Sequence, residues 1–189
     1  MAESSLWHEP DYVKDQAVFK PKGGWAKIEQ ERKNATRKLM VLPYGRELAD
    51  LIVRYALALD QPNLNVAFLQ MWNILEWVTG TIGGPQDKTV KRATWFHLPR
   101  GIEMEVLQSL RVRRNRFVHS GTGTDEERDQ IVTSIKRYVD SHLLNLIVNV
   151  GNVSSIEEYA TWLDQPTSID TLKQQRRRVN RAIRLLERA

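Results

Sequence analysis

Residues 110–121 read LRVRRNRFVHSG, which places Arg111, Arg113, Arg114, Arg116, Asn115 and His119 within nine positions and then stops at Gly121. These side chains suit phosphate chemistry. A guanidinium matches phosphate oxygens in a bidentate geometry, and an imidazole with an ordinary pKa near 6.5 exchanges protons around neutrality. Two unit charges about 6 Å apart repel by about 0.7 kcal/mol at a dielectric of 80 and about 3 kcal/mol at 20. On an exposed helix end water offsets that repulsion, and the arginines also sit well near the negative end of the helix dipole. In a partly buried cleft an anion is the natural partner. Asn115 and His119 are four apart, so on a helix the amide can hydrogen-bond the imidazole and fix its tautomer. Arg114 and His119 are five apart, which at about 100° per residue sets them roughly 140° apart around the axis. For both to meet one phosphate within one chain, the helix must loosen near Val118. Ser120, Gly121 and Gly123 make that loosening plausible.

The elements that must position this stretch are helical. Trp25, Ile28, Ala35 and Leu39 form one stripe; residues 46–60 put Leu48, Leu51, Ile52, Tyr55 and Leu59 on one face. Pro62 and Asn63 supply a break and a cap before NLNVAFLQMWNILEWVTG, which is apolar almost all round and ends at Gly80. This spacing predicts a central helix buried on several sides. Glu76 falls among its apolar residues, where an unpaired carboxylate is costly. Either it pairs with an arginine of the 110–116 cluster, Arg114 first, or it reaches solvent at the helix edge. A glycine-rich loop over 80–88 leads to a short basic helix near 88–97. The loop departs from a phosphate-binding P-loop, because Asp87 stands where the glycine before the lysine belongs and a helix precedes it. Helices follow at 103–118, from a cap at Thr124 or Asp125 to about Gly151, near 154–164, and over 169–188. With no repeat and no sustained strand pattern, the class is all-α.

Composition bounds the function. The chain has 189 residues, 41% of them hydrophobic, enough for one buried core. With no cysteine, disulfides, thiol nucleophiles and cysteine-bound zinc are excluded. His8, His97, His119 and His142 lack ligand spacing, so neither a metal site nor another cofactor is expected. There is no run long enough to span a membrane, and the opening MAESSLWHEP lacks the basic and apolar regions of a signal peptide, which makes the expected location the cytoplasm. The net charge of +5 is concentrated: residues 171–189 hold seven basic residues and one acid, for +6, so the other 170 sum to −1. A basic tail points to an anionic partner such as nucleic acid, with no membrane involved. Within it Leu172, Val179, Ile183 and Leu186 form an apolar stripe. That helix either docks on the bundle by the stripe with its arginines solvated, or offers Arg176, Arg177 and Arg178 to RNA, or meets a partner helix.

The stretch RNRFVH resembles the motif of the HEPN superfamily. Together, FLQMWNILEWVTG upstream and LRVRRNRFVHSG downstream are similar to the Apea-like HEPN branch, in which a Trp/Glu-bearing helix precedes a motif ending in histidine, a small residue and glycine. The likeness covers about residues 46–150. Residues 1–45 then form an N-terminal extension and residues 151–189 a C-terminal helical extension. The resemblance implies an up-and-down helical bundle that dimerises with both motifs facing one cleft, and for many members metal-independent RNA cleavage. Other members bind only nucleotides or proteins. Toxin or antiviral defence roles, with an antitoxin or other protein partner, are likewise what the resemblance implies.

On that reading His119 is a general acid or base, Arg114 binds the phosphate and stabilises charge on its oxygens, and Asn115 orients the imidazole or the phosphate. Arg111, Arg113 and Arg116 steer the RNA backbone unless an acid claims one of them. RNA carries its own nucleophile, the 2′-hydroxyl, so cleavage needs proton transfer and charge stabilisation and in principle no metal. A single His119 per chain leaves one proton transfer unassigned, and a homodimer supplies the second. The rivals are a non-catalytic HEPN module that dimerises and binds nucleic acid or a protein, and an unrelated helical DNA-binding domain.

Overall fold

The computed structural model describes residues 22–120 and 128–187, and among them every regular element is a helix: α1 Gly24–Val41, α2 Gly45–Leu59, α3 Leu64–Val78, α4 Gln86–Ala93, α5 Arg100–Ser120, α6 Arg128–Val148, α7 Ile156–Trp162 and α8 Ile169–Leu186. The fold is an all-α bundle, as the periodicity predicts. No helix among the described residues is long and apolar enough to cross a membrane.

The bundle is organised around α3, which packs against α2, α4, α5, α6 and α7. Its composition explains this position. Phe68, Met71, Trp72, Leu75 and Val78 are all buried, because an apolar surface this wide can be removed from water only by neighbours on several sides. Asn63 caps the helix, its side chain accepting from the amides of Asn65 and Val66 at 3.0 and 3.2 Å. At the other end Gly80 takes φ +60, and a Cβ there would lie 2.8 Å from Cβ of Ala160. Glycine meets both demands at once, left-handed backbone and close approach of α7.

From α6, Ile135, Tyr138, Val139, Leu143 and Leu146 complete the core against α3. Val153, then Ile156 and Tyr159 on α7, and Leu163 just after that helix belong to the same core, which therefore runs past residue 150. At the front of the chain α1 packs on α2 and α6 with Ile28, Ala35 and Leu39 half-buried, while Trp25 remains largely exposed. Tyr44 is buried and donates its hydroxyl to the carbonyl of Leu146 at 2.9 Å, fixing the α1–α2 turn to the end of α6.

The glycine-rich stretch after α3 is a structural junction. Its hydroxyls form a chain, Thr79 to Thr81 at 2.9 Å and Thr81 to Thr89 at 2.7 Å. Its amides are spent internally, those of Thr81 and Gly84 on the carbonyls of Glu76 and Thr81. Arg92 closes the junction by donating to the Thr79 carbonyl at 2.6 Å and to both carboxylate oxygens of Asp164.

α8 departs from the docked helix that its stripe allows. Every residue of α8 is exposed and none is buried against the bundle. The expected caps Thr124 and Asp125 lie outside the described residues.

Candidate active site

The site is built from the C-terminal half of α3, the start of α4 and the second half of α5. Glu76 follows Trp72 by one helical turn, and the Trp72 indole Nε1 donates to its Oε1 at 2.8 Å. With only 9% of its surface exposed, the carboxylate also needs a cation. Of the two arrangements open for Glu76, the structure contains the pair: Arg114 Nη2 lies 3.8 Å from Glu76 Oε1, with the guanidinium about one quarter exposed. At that separation the contact is an ion pair rather than a hydrogen bond. Trp72 thus orients the carboxylate, and the carboxylate supplies the charge that faces Arg114.

A second contact holds the same guanidinium. Arg114 Nη1 donates to Asn115 Oδ1 at 3.2 Å, and Gln86 Nε2, from the first residue of α4, donates to that oxygen at 3.2 Å. The amide oxygen of Asn115 is therefore committed to Arg114 and Gln86, leaving its NH₂ group to address an imidazole or a phosphate. One turn earlier, Arg111 forms an ion pair with Asp87 of α4. This is the case foreseen from the sequence in which an acid pairs with one of the arginines. Arg113 is half-buried and Arg116 exposed, and both make interactions of their own. Arg176, Arg177 and Arg178 lie on α8, fully in solvent.

The backbone of His119 is helical, while its side chain lies outside the described residues. The loosening near Val118 does not occur, because α5 continues as a regular helix through Ser120. Arg114 and His119 consequently keep their angular offset of about 140°. The hydrogen bonding of this helix outweighs the turn tendency of the residues that follow it.

Gln86, Asp87 and Trp72 are the participants that sequence reasoning missed in this role. Trp72 was readable, since a Trp and a Glu four apart on a buried helix can satisfy one another. Gln86 and Asp87 come into range only through the α4–α5 packing, which no local spacing encodes. Beside Glu76 a cleft of about 360 Å³ opens between α2 and α3, lined by Arg54, Gln70, Asn73, Trp77 and apolar side chains.

A separate polar cluster fills the interior between α5, α6 and α7. Fully buried His142 places Nε2 3.0 Å from the Ala93 carbonyl and Nδ1 2.8 Å from the Tyr159 hydroxyl. The Ala93 carbonyl requires Nε2–H, and burial pushes the pKa down to about 4, which leaves the ring neutral and Nδ1 as the acceptor of the Tyr159 hydroxyl. Nearby, Glu103 accepts from the Tyr138 hydroxyl at 2.6 Å and from Arg137, and Tyr138 packs on the ring of His97. Burial, with Arg137 adding to it, also lowers the pKa of His97. Phe96 packs on the ring of His142 and Trp162 on that of Tyr159, so His142 and Tyr159 belong to the core, while Arg137 reaches the surface. Among the described residues no three His, Asp or Glu side chains are grouped to hold a metal ion.

No family model matches the chain, and no match was found among curated proteins or solved structures.

Proposed function

We propose that this protein is a metal-independent endoribonuclease of HEPN type that acts as a homodimer in the cytoplasm. The observation that carries the reading is the held guanidinium of Arg114, paired with buried Glu76 on one side and hydrogen-bonded to Asn115 on the other, on the same helix as His119. A cation fixed before the substrate arrives stabilises charge that develops on a phosphate without reorganising in the reaction. In the proposed step a His119 imidazole takes the proton of the ribose 2′-hydroxyl, and the 2′-oxygen attacks phosphorus. The bond from phosphorus to the 5′-oxygen breaks, and a second imidazole protonates that oxygen. The products are a 2′,3′-cyclic phosphate and a 5′-hydroxyl. The backbone positions of Arg114 and His119 lie about 140° apart around the unbroken α5, which supports a site in which the second copy supplies the complementary group. The resemblance to Apea-like HEPN sequences supports the same roles.

The test is incubation of RNA in chelator with the intact chain, Arg114→Ala and His119→Ala. A general acid or base contributes about 10²- to 10⁴-fold, so the His119→Ala rate should fall by at least about 100-fold. Undiminished cleavage in both variants would refute the assignment, and 5′-phosphate ends would rule out 2′-hydroxyl attack. The fully exposed arginines of α8 favour a second reading, a non-catalytic HEPN module that holds nucleic acid or a protein partner. Binding of RNA without turnover in the same assay would select it.

A further inference from the structure

α8 has 18 residues, and among the described residues none of its side chains is buried. An isolated helix of this length stands only a little above the roughly 12–15 residues below which helices are marginal in water. Here Lys173–Arg177, Arg177–Arg181, Arg178–Arg181 and Arg181–Arg184 stack like charges three or four apart, which weakens it further. Yet one face keeps a strict order. Ile169, Leu172, Arg176, Val179, Ile183 and Leu186 follow at alternating steps of three and four, the a and d positions of a heptad seam. At about 100° per residue these six fall within an arc of roughly 100°, and Arg177, Arg178, Arg181 and Arg184 fall on the far side. A bilayer surface takes a helix with a broad apolar face whose cations border it. A stripe this narrow, with its arginines turned away, fits the groove of another helix.

Charge decides which helix and in which direction. The positions bordering the seam are Lys173, Asn180 and Glu187 on one side and Gln175 and Ala182 on the other, so two copies meet with almost no like-charge contact there. Arg176 is the exception inside the seam. In a parallel, in-register pair it would face Arg176 of the second copy. In an antiparallel pair Ile169 lies opposite Leu186, Leu172 opposite Ile183, and Arg176 opposite Val179 of the second copy, against which its aliphatic stem can pack. The antiparallel arrangement also sets the two helix dipoles head to tail and brings Glu187 beside the N-terminal turn of the other helix. We propose that α8 pairs antiparallel with α8 of a second copy of this chain through Ile169, Leu172, Val179, Ile183 and Leu186, leaving an arginine face outward on each side. The pairing is independent of the nuclease reading.

The chain has no cysteine, so introduced ones report without background. Full-length Ile169→Cys and Leu186→Cys proteins, mixed and mildly oxidised, should give the mixed disulfide dimer, while Ile169→Cys alone gives little. Leu172→Asp with Ile183→Asp, at exposed positions, should weaken self-association measured by sedimentation by at least about 100-fold with the helical circular dichroism of the bundle retained. Self-crosslinking of Ile169→Cys as efficient as the mixture would overturn the antiparallel pair, and unaltered association of the double aspartate variant would overturn the seam. Co-sedimentation with phosphatidylserine vesicles that depends on Leu172 and Ile183, without crosslinking, would assign the stripe to a bilayer instead. Crosslinking in a chain that cleaves no RNA leaves the pairing intact and removes only the nuclease reading; cleavage without crosslinking does the reverse.

Discussion

His142 makes the stability of this protein depend on pH in a way that can be worked out. Its folded pKa is about 4, depressed by complete burial from an ordinary 6.5. Between those two values the unfolded chain binds a proton that the folded chain refuses, so stability falls as pH drops through this window. Well above pH 6.5 the ring is neutral in both states and adds no dependence. Integrating the proton difference from pH 7 to pH 5 gives a loss of about 2 kcal/mol, rising to about 3 kcal/mol by pH 4. For a chain of this size 2 kcal/mol corresponds to a fall in Tm of about 4–8 °C. Half-buried His97, also lowered, adds to the effect with the same sign. The assay is urea unfolding at pH 7 and pH 5 of the intact protein and of His142→Gln, whose amide can still donate to the Ala93 carbonyl. The variant is expected to be less stable at pH 7 but to lose about 2 kcal/mol less on going to pH 5. Parallel pH dependence in the two proteins would refute the reasoning, as would an NMR titration in which the His142 ring protonates near pH 6 in the folded state.

Three further outcomes follow from the site and its supports. Glu76→Gln keeps an acceptor for Trp72 but removes the charge facing Arg114; RNA cleavage should fall by at least about tenfold while the Tm changes little, and a variant with full activity would show that the pair does not position Arg114. Gly80→Ala forces a Cβ into the left-handed region and against Ala160, so urea unfolding should show a loss of about 1–3 kcal/mol. Deletion of residues 169–189 removes exposed arginines without opening the core; if α8 contacts RNA, the slope of log affinity against log salt should become shallower by several units, and an unchanged slope would place RNA binding elsewhere.

The helices were legible because their apolar residues recur at the spacing of a helix face, and α3 was readable as the central one because its apolar surface is too wide for a single neighbour. The Glu76–Arg114 pair was legible as one of two options for the same kind of reason, since a carboxylate amid Trp72, Leu75 and Val78 must find a cation or escape to water. What the spacing did not reveal is whatever depends on packing between distant segments. His142 looks unremarkable among four scattered histidines, yet the Ala93 carbonyl and Tyr159 arrive from 49 and 17 residues away to fix it as a buried neutral group. The claim of Asp87 on Arg111 arises only because α4 lies along α5. The α8 stripe was visible, but a stripe does not say what it faces, and here it faces no part of the described bundle.

The unbroken course of α5 also bears on how many chains make one proposed active site. Arg114 is turned toward α3 by Glu76, and a regular helix sets the backbone of His119 about 140° around the axis from that of Arg114. If one cleft is instead completed by the His119 of both copies, a dimer with a single imidazole lacks either the base or the acid and should lose about 10²- to 10⁴-fold in rate. Mixing equal amounts of intact chain and His119→Ala, with subunits allowed to exchange, then leaves only about one quarter of the dimers with both imidazoles. The rate per total protein should settle near one quarter of that of the intact protein. Chains that each carry a complete site would give about one half, since every intact chain would keep its own activity. A value near one half would show that one imidazole suffices for each site and would remove the reason for requiring two His119 side chains.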